Sequence, residues 1–109
     1  MKHRRTPLRR VQVHGESMRP GLEPGDRLVV LGLLRPRAGD VVALVDPRDG
    51  ERVMVKRVAS VDATGVTVLG DNPTASTDSR TFGPVRPDHV LGRAVYRYWP
   101  DERRGRLTH

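Results

Sequence analysis

The chain has 109 residues, no cysteine and a formal charge of +7, with nine prolines and eleven glycines. That length builds one domain around one modest core, and the missing cysteines exclude a disulfide framework and a thiolate metal site and fit a reducing compartment. The longest apolar stretch, Leu28 to Leu34, falls far short of the about 20 residues a membrane helix needs, and no apolar segment follows the basic start as a signal peptide requires, so a soluble, cytoplasmic chain is expected.

In chain order, residues 1–10 carry Lys2, Arg4, Arg5, Arg9 and Arg10 and read as a solvated, disordered basic tail. Val11 to His14 reads as a short strand. Arg27 to Leu34 reads as a second, entered through Pro24-Gly25-Asp26 and left through Pro36 to Asp40. Val41 to Asp46 and Glu51 to Ser60 flank Pro47-Arg48-Asp49-Gly50, a strong hairpin signal. Asp62 to Gly65 is a turn before a strand from Val66 to Leu69, Gly70 to Phe82 is a long polar loop, and Leu91 to Trp99 is the last strand. Pro87 to Val90 alone could start a helical turn. The expectation is an all-β domain over 11–99 with little or no helix, followed by a polar basic tail, 100–109. The aromatic set is Phe82, Tyr96, Tyr98 and Trp99, so valine and leucine must fill the core. A loop of about a dozen residues in so small a domain is usually functional.

Three segments carry chemistry: Gly15-Glu16-Ser17-Met18-Arg19-Pro20, Val55-Lys56-Arg57-Val58, and Gly70-Asp71-Asn72 running on to Asp78-Ser79-Arg80 and Phe82-Gly83-Pro84-Val85. A serine hydroxyl needs a base before it becomes a useful nucleophile. Of the four histidines, His3 and His109 lie in the tails, while His14 is three residues from Ser17 and stays open as a base. A lysine serves if burial lowers its pKa. Among twenty Lys and Arg residues only Lys2 and Lys56 are lysine, and arginine cannot be deprotonated. Period-two alternation places Lys56 on one strand face with Met54 and Val58. Taken singly, Ser17 reads as a turn serine, Lys56 as an edge-strand lysine whose amine reaches to water, and Gly70-Asp71-Asn72 as a strand-ending turn; it is their order and spacing that single them out.

These residues resemble the signal peptidase I-like serine–lysine proteases. Ser17-Met18-Arg19-Pro20 with Leu22 and Gly25-Asp26 match that family's nucleophile box, Lys56-Arg57-Val58 its base box, and Gly70-Asp71-Asn72, Ser76, Asp78-Ser79-Arg80 and Phe82-Gly83-Pro84-Val85 its third box. The likeness covers about Val11 to Tyr96. It implies small, strongly twisted antiparallel sheets in a partly open, barrel-like core, no cofactor and no metal. It implies Ser17 as nucleophile and Lys56 as base, with Ser76 bonded to the lysine amine. An Asp78–Arg80 ion pair would shape the loop whose entry Asp71 and Asn72 hold, the Ser17 N–H would supply part of an oxyanion hole, and Met18 and Pro20 would lie in the groove that takes an extended peptide.

Many relatives carry a serine at the position of Gly15, whose hydroxyl completes the oxyanion hole, and most add membrane helices and a further β-domain. A short chain lacking these looks most like the bacterial proteases that trim the leader from nickel superoxide dismutase precursors. The alternatives are a general leader peptidase core, an idle relative, and a basic β-module binding nucleic acid, against which the scarcity of aromatic platforms argues. A self-cleaving repressor would need a DNA-binding helix-turn-helix, for which too few residues precede the first strand. The basic tails could also give peripheral membrane contact.

Overall fold

The computed structural model describes residues 6–107; Lys2, His3, Arg4, Arg5 and His109 of the expected tails lie outside the described residues. Seven strands form one antiparallel sheet: β1 (Leu8–Gln12), β2 (Arg27–Leu31), β3 (Val41–Asp46), β4 (Asp49–Asp62), β5 (Gly65–Leu69), β6 (Val90–Trp99) and β7 (Gly105–Arg106). Their order across the sheet is β1-β2-β6-β3-β4-β5, with β7 added to β6. The sheet is not closed into a barrel, because β1 and β5 end it and share no ladder.

The valine-rich runs explain the layering. Alternate residues of a strand face opposite sides, and β3, central between β6 and β4, is buried along its whole length. Val41, Ala43 and Val45 join Val13, Met18, Leu22, Leu28 and Val30 in one core cluster, while Val42 and Leu44 join Met54, Val58, Val66, Val68 and Val85 in the other. The aromatics add little to either: Phe82 is partly buried against the second cluster, and Tyr96 and Trp99 are exposed.

The expected strands are all present with shifted ends. β1 begins at Leu8, so Arg9 and Arg10, read as tail, pair with β2. β2 stops at Leu31, and Gly32 and Leu33 already turn. β4 runs for 14 residues because it serves two partners, β3 through Asp49–Arg57 and β5 through Arg57–Asp62. The turn before it is fastened by Arg48, whose Nε and Nη2 donate to buried Asp46 at 3.1 and 3.0 Å. The loop from Gly70 holds a 3-10 turn, Pro73–Ala75, and a four-residue helix, α1 (Ser79–Phe82), whose N-cap Asp78 accepts from the Arg80 N–H.

The stretch from residue 100, expected to be a polar tail, packs back on the sheet. A 3-10 turn at Asp101–Arg103 leads into β7, the Leu107 N–H bonds to the Val95 carbonyl at 3.0 Å, and Leu107 lies against the first core cluster. The anchor is Asp26, buried beneath Arg103 at 2.6 Å and Arg97 at 3.1 Å. A buried carboxylate needs such partners.

Candidate active site

The loop from Val13 to Asp26 presents Ser17. Its neck is closed by the Val13 N–H on the Asp26 carbonyl and the Gly25 N–H on the Val13 carbonyl, both at 2.8 Å. Within it Met18 and Leu22 are buried in the first core cluster, which turns the intervening backbone and leaves Ser17 half-exposed. Gly15 sits at φ +75 with open space where a side chain would project, a conformation that favours glycine. Met18, expected in the groove, is therefore a core anchor, 1 % exposed. Its apolar side chain is what pins the loop. Pro20 is exposed and outside the pocket that surrounds Ser17.

Lys56 reaches Ser17 from β4. It is paired with Val42 of β3, and its face-sharing neighbours Met54 and Val58 both belong to the second core cluster. The side chain is only 4 % exposed, and Nζ donates to Ser17 Oγ at 2.8 Å. Burial drives the amine's pKa below the ordinary lysine value, against the opposing charge of Asp78. A lysine in this state gives up its proton far more readily than one in water. His14 lines the same pocket, but the hydroxyl's partner is the amine.

The third segment wraps both. The Asn72 N–H donates to the Ser17 carbonyl at 2.8 Å and its amide to the Glu16 carbonyl at 3.2 Å. Asp71 takes two bonds from Arg57, at 2.9 and 3.0 Å. Asp78 is fully buried and accepts from the Gly70 N–H at 2.8 Å, from the Ser76 hydroxyl at 2.7 Å and from Arg80 Nη2 at 2.6 Å. Burial alone would raise its carboxyl; the Arg80 guanidinium, with the Gly70 N–H and Ser76 hydroxyl, outweighs burial and holds it well below the usual carboxylate range. Ser76, expected to bond the lysine amine, instead gives its hydroxyl to Asp78. The carboxylate two residues on is the stronger acceptor.

Two structural roles are not legible in the sequence, although Gly70 and Asp26 both stand in its matched boxes. Gly70 is one: a Cβ there would lie 2.8 Å from the Ser17 carbonyl and would also strike the Ser76 side chain, so only glycine lets the two segments meet. Its place beside Asp71-Asn72 was the available signal. The other is the Asp26–Arg97–Arg103 cluster, in which Asp26 precedes its two arginine partners by 71 and 77 positions; Gly25-Asp26 stands in the nucleophile box, but nothing in the sequence ties Asp26 to those arginines.

The pocket around Ser17 and Lys56 is lined by Gln12, His14, Met54, Val55 and Ala75 among others. It opens between two strand edges that carry no ladder among the described residues, the outer edge of β1 and the first half of β4 opposite β3. The Ser17 N–H makes no hydrogen bond among the described residues. None of the described residues forms a group of three or more His, Asp and Glu side chains able to hold a metal ion.

Comparison with known proteins puts this sheet, with its buried lysine on a loop serine, in the class of serine peptidases of the signal-peptidase type. Residues 1–95 match the family described as Peptidase S24-like, and the chain belongs to it. It is 34 % identical to the mitochondrial ATP-independent inner membrane protease subunit 1a of Arabidopsis thaliana, over 87 % of this chain and 73 % of that protein. It is 31 % identical to the mitochondrial inner membrane protease subunit 2 of Mus musculus, over 88 % and 70 %. A shorter stretch, 40 % of this chain and 12 % of the other, is 43 % identical to the probable thylakoidal processing peptidase 2 of Arabidopsis thaliana. No helix among the described residues is long and apolar enough to cross a membrane.

Proposed function

We propose that the chain is a leader-removing endopeptidase in which Ser17 is the nucleophile and Lys56 the general base. The observation that carries this is the 2.8 Å contact between Ser17 Oγ and the amine of a nearly buried lysine. In the neutral state Nζ accepts the hydroxyl proton as Oγ attacks the scissile carbonyl, then returns it to the leaving amine. Water hydrolyses the acyl-enzyme by the same base. The Ser17 N–H, which makes no hydrogen bond among the described residues, stabilises the oxyanion in this reading. Ser76, Asp78 and Arg80 act as positioning residues: they hold the loop whose Asn72 fixes the Ser17 backbone.

The substrate is an extended peptide that adds to the free strand edges flanking the pocket. The names of the relatives, inner membrane protease and processing peptidase, favour a precursor's leader over an internal self-cleavage site. The nickel superoxide dismutase precursor, the substrate expected from the sequence resemblance, is the first to test. Incubating that precursor with the protein and with Ser17→Ala, read by intact mass, should show Ser17-dependent loss of the leader. If that precursor stays intact while a signal-peptide-like sequence is cut, the chemistry holds and the substrate choice fails. If the folded protein cuts neither, the assignment as a leader peptidase is wrong.

A further inference from the structure

Away from the dyad the pocket continues as a groove between β1 and the start of β4, lined by Arg9, Arg10, Gln12, Glu51, Arg52 and Val53. Arg52 and Gln12 line both parts. Ten of the chain's eighteen arginines pair with carboxylates, Arg37, Arg48, Arg57, Arg80, Arg97 and Arg103 among them. Arg9, Arg10 and Arg52 hold none among the described residues, and the groove's own Glu51 and nearby Glu16 pair with none of them. Arg9 Nε is buried without any acceptor. A buried donor left unpaired is costly, and its presence in a groove marks a place for an acceptor from outside.

We infer that this groove selects substrates by charge, taking a peptide segment that carries carboxylate side chains a few residues to one side of the scissile bond. This rests on the leader-peptidase reading for the peptide's presence in the groove and adds to it the side-chain chemistry that the groove prefers. A strand advances about 3.3 Å per residue, so Arg52, lining both pocket and groove, meets side chains nearer the cut than Arg9 and Arg10 do. Carboxylates facing unpaired guanidinium groups form charge-assisted bonds that an amide cannot match. Net charge alone would attract any polyanion, at any register. A groove of three arginines requires instead that the acidic residues fall in one window and on one side.

Binding to the 109-residue chain carrying Ser17→Ala tests this without depending on catalysis. The probes are neutral twelve-residue peptides spanning a leader junction, carrying a pair of Glu, Gln or Lys residues stepped along both sides of it. The Glu peptide should bind about tenfold more tightly than its Gln counterpart at low salt, only when the pair lies in one window, with the preference fading as salt is raised. Adding Arg52→Glu should abolish or reverse the preference. Arg52 is exposed and its side chain forms no hydrogen bond or ion pair among the described residues, its charge being felt by Asp46 and Lys56. Arg35→Glu, an equal change of net charge at an exposed site outside the groove, should leave the preference intact. Equal binding of Glu and Gln peptides, or equal losses in the two variants, would overturn the inference. So would a single-stranded oligonucleotide of matched charge that bound more tightly and shared the Arg52 dependence. A wild-type protein that binds the acidic peptide in register yet cuts no peptide would leave the groove standing and sink the leader-peptidase reading.

Discussion

At the scale of single residues the protein's chemistry depends on one side chain held where it would not choose to be. Lys56 sits among Met54, Val42 and Val58 with its amine against Ser17, and burial lowers its pKa. The folded state thus binds a proton less readily than the unfolded chain. Between the lowered value and the free-lysine value of about 10.4 the unfolded state holds more protons, and stability rises with pH across that window. Lys56→Met removes the penalty. It should raise Tm by roughly 4 °C or more at neutral pH, with the gain vanishing above about pH 10.4, as thermal melts at several pH values would show. The same variant, and Ser17→Ala, should each cut turnover by a factor on the order of 10³ or more. Asp78 works in the opposite sense. Its depressed pKa contributes stability that is present above the ordinary aspartate value of about 3.9 and is lost as pH falls below it. Asp78→Ala leaves the Gly70 N–H and Ser76 hydroxyl without their acceptor. It should cost about 1–3 kcal/mol in urea melts and should flatten the acid limb of stability.

At the scale of elements the site is three segments that must touch. Gly70 is the contact point: Gly70→Ala should push the Ser17 carbonyl and Ser76 apart. Because the dyad geometry tolerates little displacement, kcat for a leader peptide should fall by about 10² while circular dichroism stays native. These segments were legible because each carries an unusual local pattern: a lysine alternating with Met54 and Val58, a Ser-Met-Arg-Pro run, and Gly-Asp-Asn with Asp-Ser-Arg behind it. The strands were legible from valine runs between turn residues, and their ends less so. β4 outruns its expected span because Arg57 to Asp62 finds a second partner in β5, which is a tertiary event. The role of Met18 was misread for a related reason. A methionine beside a nucleophile and a methionine in a core look alike until the loop's closure at Val13 and Asp26 turns it inward.

At the scale of the whole molecule the C-terminal segment closes the structure. Arg103 and Arg97 meet Asp26 at the base of the Ser17 loop, and Leu107 covers the first core cluster. Arg103→Ala should lower stability by about 1–2 kcal/mol and raise protease nicking between Val13 and Asp26, measured by limited trypsinolysis. Composition suggested a solvated tail here, since the segment is polar and rich in arginine. What composition lacks is the carboxylate waiting 77 positions earlier in the chain.

The central claim, that a buried lysine activates Ser17, is tested most directly by kcat/KM for a leader peptide as a function of pH. A single rising limb is expected as Lys56 loses its proton, with a midpoint well below the free-lysine value of about 10.4, and no such limb in Lys56→Met. A wild-type profile already flat from about pH 6.5, the reference value of histidine, and near-full activity in Lys56→Met would contradict it and turn attention to His14.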